Sequence, residues 1–286
     1  ASSLPTRPRL AVGQLSSTDS PAHNLEQCTL LAREAKSQGA SFLSLPECFA
    51  FMGLTGTSQT RDNAEPLTGP LFCKYKELAR DTGLWLSLGG FHEKCTEGEA
   101  AAQGKIYNTH AIVDNQGTLI AAYRKLHLFD VDYDGGFRES NSTERGQQAM
   151  IIRGTPIGNV GVTTCYDLRF PELYTALRQA GAEVLLVPSA FMPTTGEAHW
   201  EVLLRARAIE TQCYVAAAAQ YGRHNAKRAS YGHSLLISPW GRVLSDLGDS
   251  EPGVGVCDVD VEELSGVRER MPVMNHRRRD VVDVVV

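Results

Sequence analysis

One pattern occurs twice along the chain, and it restricts the fold more than any other feature of the sequence. A predicted helix ends in Gly39-Ala40, and the apolar strand after it runs into Pro46-Glu47-Cys48-Phe49. The same order recurs from Gly181-Ala182 to Pro188-Ser189-Ala190-Phe191. Two such halves, each a sheet with helices on one face, would bury their bare sheet faces against each other. The repeat therefore predicts an α/β fold, a four-layer αββα sandwich built as a single domain over residues 1–286.

The other predicted elements alternate between helix and strand, in keeping with this fold. Hydrophobic periodicity predicts helices at about 22–38, 71–82, 171–179 and 197–211. It predicts strands at about 10–15, 42–45, 84–91, 106–113, 118–128, 159–165, 184–187, 214–218, 233–238, 243–246 and 254–259. Residues 129–149 are polar and without a clear period, so we expect a long loop of the kind that carries function or is disordered.

Composition excludes several classes of protein. The chain has 286 residues, of which 42% are hydrophobic, which is enough for a substantial core and argues against disorder. No apolar run approaches the roughly 18–20 residues of a membrane span, so we expect no membrane partner. The net charge is −5 and the one dense basic run, at 276–279, is short. We therefore expect no nucleic-acid partner either.

The cysteines indicate a reducing compartment. The seven of them are odd in number, scattered and never spaced as CxxC, so we expect neither a disulfide framework nor a metal site. The first residue is Ala rather than Met, which allows for an initiator or targeting segment that was removed. The expected location is the cytoplasm, with the mitochondrion as a further compartment.

Cys165 is the most informative of these thiols. It ends an apolar strand and precedes a helix that Pro171 is suited to begin. A sharp strand-to-helix turn projects a side chain outward, and the positive end of a helix lowers a thiol pKa toward the nucleophilic thiolate. The alternative is a small buried hydrophobic residue, because free cysteines are often buried. Cys48 is a rival nucleophile, although its neighbour Glu47 is better placed to face a cleft.

Two charged residues, Glu47 and Lys125, occur at the end of an apolar segment or within a strand-like one. Glu47 follows an apolar strand, where desolvation raises the pKa of a carboxyl toward that of a general base; a rim charge or a helix-start carboxylate is the alternative. Lys125 interrupts a strand-like segment, where an ammonium group stabilises an oxyanion or a thiolate; a side chain that reaches solvent from a strand end is the alternative. Three histidines lack a recognisable Cys or Asp signature and are expected to be structural, namely His127, His199 and His233.

Three segments, in this order, resemble the signatures of the nitrilase (carbon-nitrogen hydrolase) superfamily. They are Leu45-Pro46-Glu47, Tyr123-Arg124-Lys125-Leu126-His127-Leu128 and Thr164-Cys165-Tyr166-Asp167-Leu168-Arg169-Phe170-Pro171-Glu172. The resemblance runs from about Arg9 to Asp280, which places the core at about 9–280. It implies the four-layer αββα sandwich and a catalytic triad of Glu47, Lys125 and Cys165, with no metal and no organic cofactor.

Residues 198–214 and 227–234 resemble one branch of that superfamily, the amidases of deaminated glutathione. Glu139 matches the auxiliary glutamate that many members place beside the triad. Two departures occur: Tyr133-Asp134-Gly135-Gly136 replaces a usual Pro-Gly, and the end reads Arg279-Asp280-Val281-Val282 in place of Asp-Leu-Tyr. The first concerns the shape of the loop before Glu139, and the second concerns only the tail.

The resemblance implies a cysteine amidase that hydrolyses the terminal amide of deaminated glutathione, an α-keto acid amide, to the free acid and ammonia. Tyr166 would supply a backbone N–H to the oxyanion and Arg169 would bind the keto-acid carboxylate. Phe191 and Thr195 would shape the pocket, and the alternative for both is a purely structural role. The alternatives are an ω-amidase acting on α-ketoglutaramate and a weakly active scaffold or regulatory member. A homodimer is implied, formed through an exposed helical layer with the C-terminal segment crossing over.

Overall fold

The computed structural model describes residues 7–132, 136–278 and 281. Its strands, in chain order, are β1 Arg9–Gln14, β2 Phe42–Leu45, β3 Trp85–Lys94, β4 Ile106–Val113, β5 Leu119–Arg124, β6 Asp130–Val131, β7 Phe137–Arg138, β8 Thr143–Glu144, β9 Met150–Thr155, β10 Gly158–Val162, β11 Val184–Leu186, β12 Tyr214–Ala217, β13 Tyr221–Asn225, β14 Arg228–Tyr231, β15 Leu235–Ile237, β16 Val243–Asp246 and β17 Gly253–Asp258. Its α-helices are α1 Pro21–Ser37, α2 Gln59–Asp62, α3 Pro70–Thr82, α4 Gly98–Ala102, α5 Pro171–Gln179, α6 Pro193–Thr211 and α7 Val261–Arg270. Short 3-10 helices span Glu139–Asn141 and Cys165–Arg169.

The strands form two main sheets with related centres. The first has the order β17-β1-β2-β3-β4-β5, with β8 paired to β4, and the second has the order β16-β15-β12-β11-β10-β9. At the centre of the first sheet β1, β2 and β3 run parallel, and in the second β10, β11 and β12 do so. Parallel neighbours need long crossover connections, which α1 and α3 supply in the first half and α5 and α6 in the second.

Three apolar clusters hold the layers together. Side chains from both sheets meet in the central cluster, among them Val12, Phe42, Val160 and Leu186. Side chains of α1 and α3 cover the outer face of the first sheet, and those of α5 and α6 cover the outer face of the second. The order helix, sheet, sheet, helix confirms the predicted αββα sandwich. That the chain forms a single domain stays a prediction.

The repeated Gly-Ala-strand-Pro pattern occupies equivalent places in the two sheets. Gly39 ends the turn after α1 and Gly181 the turn after α5, both with positive φ. Their strands, β2 and β11, lie at the centres of the two sheets, and both run into the prolines at their carboxyl ends. The residues that follow the two prolines meet across the two sheets, since the backbone N–H of Ala190 donates to Glu47 Oε2 at 3.1 Å.

Several predicted boundaries differ from the observed ones. Helix α6 begins at Pro193 rather than near 197, because proline is well suited to a first helical turn. The strand expected to extend to 128 ends at Arg124, and the segment expected to be a loop contains β6, β7 and β8. Strand β9, the β13–β14 hairpin and α7 were not predicted, although Asp260 caps α7 by accepting the N–H groups of Glu262 and Glu263. No helix in the described parts of the chain has both the length and the apolar character that crossing a membrane requires.

A buried chain of hydrogen bonds connects the two sheets beside the central apolar cluster. The imidazole of His110, on β4, donates from Nδ1 to the Thr163 carbonyl oxygen at 2.8 Å and accepts the Ser87 hydroxyl at Nε2 at 2.7 Å. Ser87 and Ser44 hydroxyls lie 3.0 Å apart. Burial lowers the pKa of His110 to about 4, so the ring is neutral at physiological pH and fits this arrangement of one donor and one acceptor.

We expect the free energy of unfolding to fall as the pH drops from about 6.5, the ordinary histidine pKa, to about 4. Over that range the unfolded chain binds protons that buried His110 does not, and each such group contributes a slope of about 1.4 kcal/mol per pH unit. His92 and His224, whose pKa values burial also lowers to about 4, add to the slope. Urea unfolding at several pH values measures it.

His110→Gln is expected to reduce the slope of the unfolding free energy against pH by the contribution of one histidine. His23→Gln, at an exposed position on α1, is the matched control and is expected to leave the slope unchanged. A slope that is the same in wild type and His110→Gln would contradict a neutral buried imidazole.

Candidate active site

Four predicted residues from separate segments meet at one place between the sheets. Glu47 follows β2, Lys125 follows β5, Cys165 follows β10, and Glu139 lies in the 3-10 helix of the segment 129–149. The Lys125 Nζ atom lies 3.0 Å from Glu47 Oε1 and 2.9 Å from Glu139 Oε2. The Lys125 side chain is 2% exposed, so the three groups form an ion triad that is almost closed to solvent.

The carboxylates of this triad are held by further donors. Asn108 Nδ2 donates to Glu47 Oε1 at 2.8 Å and to Glu139 Oε1 at 3.1 Å. The backbone N–H of Ala190 donates to Glu47 Oε2 at 3.1 Å, and that of Phe129 donates to Glu139 Oε2 at 2.7 Å. Buried charges need such partners, and sequence analysis missed all three donors. Asn108 had only a weak signal, as the first of three polar residues in a row within the predicted strand 106–113.

A bulge in β3 makes room for Glu47. The pairing of β3 with β4 shifts register between Leu88 and Phe91, at Gly89 and Gly90. Gly90 has a φ of +72°, and a Cβ atom there would lie 2.6 Å from Cγ of Glu47. Only glycine suits both the backbone conformation and the space. The backbone N–H of Cys48 donates to the Gly90 carbonyl oxygen, which fixes the turn that carries Glu47.

Cys165 lies in a strained turn between β10 and the helices that follow. Its φ is +48°, which is rare for a residue with a side chain. Its backbone N–H donates to the Pro188 carbonyl oxygen at 2.9 Å, so the second copy of the repeated pattern fixes the turn. The predicted strand-to-helix turn is therefore present, but a 3-10 helix, Cys165–Arg169, comes before α5.

Two electrostatic expectations from the sequence are wrong in direction. Burial alone would raise the pKa of Glu47, but the charge of Lys125 and hydrogen bonds from Cys165, Lys125 and Asn108 outweigh it and lower that pKa. Burial and the nearby charge of Glu47 hold the pKa of Cys165 well above its usual range, against the smaller effect of Lys125. The site therefore holds an ionised carboxylate beside a neutral thiol, not a thiolate paired with lysine.

The same balance keeps Lys125 charged. Burial would lower the pKa of Lys125, yet the charges of Glu139 and Glu47 raise it well above the ordinary value. The ammonium group is thus a permanent cation next to the thiol.

These residues lie at the base of a cavity of about 1010 Å³, a volume that includes its part open to solvent. All four residues predicted to contact substrate line it, namely Tyr166, Arg169, Phe191 and Thr195. The Arg169 guanidinium lies 5.4 Å from the centre of the Phe191 ring and 5.9 Å from that of Tyr166, and Nη1 is 3.3 Å from His199 Nδ1. A cavity lined by aromatic and aliphatic side chains together with a few convergent polar groups is typical of small-molecule sites.

The remaining candidates have structural partners. Cys48 lines the cavity with its Sγ atom 3.7 Å from His92 Nε2, and burial raises its pKa to about 12. His127 pairs with Asp167 at 2.7 Å, and His233 pairs with Asp246 at 3.0 Å. No cluster that could hold a metal ion occurs among residues 7–132, 136–278 and 281. The departures at 133–135 and at 279, 280 and 282 lie outside the described residues.

Comparisons with known proteins identify the family of the chain. The sequence model of the carbon-nitrogen hydrolase family matches residues 9–269. The chain belongs to the carbon-nitrogen hydrolase family. This carbon-nitrogen hydrolase is 50% identical over 283 residues to a protein of Bos taurus named deaminated glutathione amidase, covering 98% of this chain and 85% of the bovine one. It is 46% identical over 275 residues to the protein of that name from Dictyostelium discoideum, covering 94% of each chain.

Two further comparisons place the hydrolase among its relatives. The crystal structure of the C. elegans NitFhit protein superposes with a TM-score of 0.86 at 41% identity, covering 96% of this chain and 66% of that one. This chain therefore spans about two thirds of that longer protein. A Bos taurus protein named omega-amidase NIT2 is more distant, with 38% identity over 278 residues, covering 96% of this chain and 97% of the other.

We expect Lys125→Met to unfold at a lower urea concentration than wild type. The substitution leaves two buried carboxylates without their cation, and breaking a buried ion pair from one side costs about 3–5 kcal/mol. Adding Glu139→Gln removes one of those carboxylates and is expected to recover part of the loss. Urea unfolding at neutral pH compares the three proteins, and a Lys125→Met protein as stable as wild type would contradict the ion triad.

Proposed function

We propose that this carbon-nitrogen hydrolase is a cysteine amidase that acts on deaminated glutathione, with Glu47, Lys125 and Cys165 as its catalytic residues. The observation that carries the proposal is the meeting of three groups on the lining of one cavity, namely the ionised Glu47 carboxylate, the Lys125 cation and the neutral Cys165 thiol. The relatives of about half identical sequence that bear that substrate in their name support the choice of substrate.

In the first chemical step Glu47 takes the thiol proton while the Cys165 sulfur attacks the amide carbon. The carbonyl π electrons move to oxygen and give a tetrahedral oxyanion, which Lys125 Nζ and the Tyr166 N–H stabilise. Tyr166 lies in the first turn of a 3-10 helix, where N–H groups lack intrahelical acceptors. Glu47 then gives its proton to the leaving amine nitrogen, the C–N bond breaks, and a thioester remains.

A water molecule completes the cycle. Glu47, ionised again, takes a proton from the water as its oxygen attacks the thioester carbon. The second tetrahedral intermediate collapses, the C–S bond breaks, and the proton returns through Glu47 to sulfur. Glu139 positions Lys125 throughout, because its carboxylate lies 2.9 Å from Nζ.

The structure of the substrate decides which amine leaves. In deaminated glutathione the amide nitrogen belongs to the cysteinylglycine part, so hydrolysis releases that dipeptide and the α-keto diacid. Ammonia is the leaving group only with a primary amide such as α-ketoglutaramate. The expected release of ammonia therefore applies to the smaller substrate alone, and an assay for deaminated glutathione has to measure the dipeptide or the keto acid.

We expect purified wild-type protein to hydrolyse deaminated glutathione with a kcat/KM above that for α-ketoglutaramate, and Cys165→Ala to lose the activity. Cysteinylglycine release measures the first substrate and ammonia release the second. A preference for α-ketoglutaramate would make the protein an ω-amidase instead. Full turnover by Cys165→Ala would contradict the proposal. If wild type hydrolysed neither substrate, the proposal would be contradicted as well and the scaffold role would be favoured.

Arg169 is proposed to bind the keto-acid carboxylate, since a guanidinium matches a carboxylate with two parallel hydrogen bonds. Its place between the Tyr166 and Phe191 rings, on the cavity wall next to Cys165, supports this role.

We expect Arg169→Gln to raise KM for deaminated glutathione and α-ketoglutaramate about 10-fold or more, because a charge-assisted hydrogen bond contributes about 1.5–3 kcal/mol. KM for a neutral aliphatic amide of similar length serves as the control and is expected to change little. An equal loss on charged and neutral amides would indicate a role in folding instead.

A homodimer is proposed through the outer face of α6. Val202 and Ile209 lie two turns apart on that helix and are 69% and 52% exposed, and Trp240, 60% exposed, lies in the turn at Gly241 that packs on Ile209. Exposed apolar side chains that adjoin one another are typical of contact surfaces. The crossing of the C-terminal segment expected from the sequence stays a prediction, and residues 279, 280 and 282–286 lie outside the described residues.

We expect light scattering to give twice the chain mass of 31.2 kDa for wild type, and a smaller mass for Val202→Glu with Ile209→Glu. Leu30→Glu, at an exposed apolar position on α1 in the opposite outer layer, is the matched control and is expected to keep the mass of wild type. A wild-type protein with the mass of one chain would contradict the dimer.

Cytoplasmic location, with the mitochondrion as a second compartment, remains part of the proposal. All seven cysteines are free, which suits a reducing environment.

A further inference from the structure

The cavity carries more positive than negative charge. Its cationic and anionic side chains are Arg61, Lys125, Arg169, Arg228, Glu47 and Glu139. Lys125 is paired with both glutamates, which leaves the three arginines. Within the described residues none of these three guanidiniums lies within 4.0 Å of a carboxylate. An excess of unpaired guanidinium groups in a cavity indicates an anionic ligand.

The arginines lie on different walls of the cavity. Arg169 belongs to the wall next to Cys165, where it contacts Tyr166 and Phe191. Arg228 begins β14 and lines the cavity together with Cys48 and His92. Burial lowers the pKa of His92 and the Arg228 charge adds to this, whereas for Cys48 the same charge partly offsets the rise in pKa that burial causes. Arg61, in α2, lines the cavity together with the neighbouring segment 53–57. If one carboxylate of a ligand bound Arg169, Arg228 and Arg61 would be available to bind a second negative group.

The proposed substrate has two carboxylates, one on each side of the amide that is cut. The keto-acid carboxylate lies on the acyl side, and the carboxylate of the terminal glycine lies on the leaving amine. α-Ketoglutaramate has only the first of these. A cavity with arginines on more than one wall thus matches the larger substrate in charge.

We propose that Arg228, with Arg61, forms a second anion subsite that binds the carboxylate of the leaving amine and selects amides with an anionic leaving group over primary amides. This inference rests on the proposed amidase function. Arg228 is half-buried and Arg61 is exposed, so Arg228 makes the larger contribution, because its guanidinium is less screened by solvent. The remote carboxylate then fixes the scissile amide against Cys165.

Arg228→Gln tests the subsite with three ligands: deaminated glutathione, the same compound with its glycine carboxylate converted to an amide, and α-ketoglutaramate. We expect KM for deaminated glutathione to rise about 10- to 100-fold, the loss of one charge-assisted contact, with little change in kcat. The other two ligands lack the second carboxylate, so their kcat/KM is expected to stay within about 2-fold. Arg228→Lys is expected to restore part of the loss.

Arg223→Gln is the matched control, because Arg223 is an exposed arginine on the same β13–β14 hairpin that does not line the cavity. It is expected to leave all three ligands unaffected. Wild type alone provides a test without any substitution in the hairpin, because it is expected to bind the amidated ligand about 10- to 100-fold more weakly than deaminated glutathione.

Binding separates this inference from the proposed function. Calorimetry with Cys165→Ala protein measures the affinity for deaminated glutathione and for its amidated form whether or not wild type turns them over. A stronger affinity for the charged form that Arg228→Gln abolishes supports the subsite, even if turnover fails. Equal affinities for the two forms, or an equal loss on all three ligands in Arg228→Gln, would overturn it.

Discussion

The buried ammonium group of Lys125 is the constraint on which the rest of the site depends. A lysine with 2% exposure is tolerated only when its charge is compensated, and Glu47 and Glu139 do this at 3.0 and 2.9 Å. The three residues come from the ends of two strands and from a 3-10 helix within the segment 129–149. Formation of this ion triad therefore holds the polar segment 129–149, which lacks an apolar core of its own, against the edge of the first sheet. The same contact that orders the segment places a cation beside the thiol.

The proton stays on sulfur until the substrate arrives because of where the negative charge of the site lies. Glu47 is ionised and close to Cys165, so a thiolate would face a second negative charge in a buried place. The charge of Lys125 is compensated by two carboxylates. Its stabilisation of a thiolate at Cys165 is therefore smaller than the opposing effects of burial and of Glu47. In the proposed mechanism, attack on an amide would remove the conflict, since the proton would move to Glu47 and the new negative charge would form on the carbonyl oxygen. Such a site would stabilise the oxyanion rather than the thiolate.

Sequence analysis located the strands and helices that carry the site, and it did so where the pattern is local. The repeated Gly-Ala-strand-Pro pattern and the turns before Glu47 and Cys165 are of this kind, because periodicity and turn residues act over short distances. The direction of the pKa shifts was wrong, because that depends on which groups meet across the fold. Desolvation of Glu47 is visible in the sequence as an apolar strand. The opposing charge of Lys125, 78 positions later, is not.

Supporting residues were missed for the same reason. Asn108 and Gly90 act on Glu47 from neighbouring strands of the first sheet, and nothing in their own segments marks the carboxylate they contact. The shared register of β3 and β4 creates these contacts, through a bulge that is visible only once the strands are paired.

The strained backbone at Cys165 needs a stabilising partner of its own, and Asp167 supplies it. A non-glycine residue in the left-handed region costs about 1–3 kcal/mol and persists only where its surroundings fix it. The carboxylate of Asp167 is fully buried and accepts four hydrogen bonds, from the Thr164 N–H, the Tyr123 hydroxyl, and the N–H and Nδ1 of His127. Since His127 and Tyr123 flank Lys125 in sequence, this one carboxylate ties the turn that carries the thiol to the strand end that carries the cation. One buried hydrogen-bond network therefore joins the turn that carries the thiol to the strand end that carries the ammonium group.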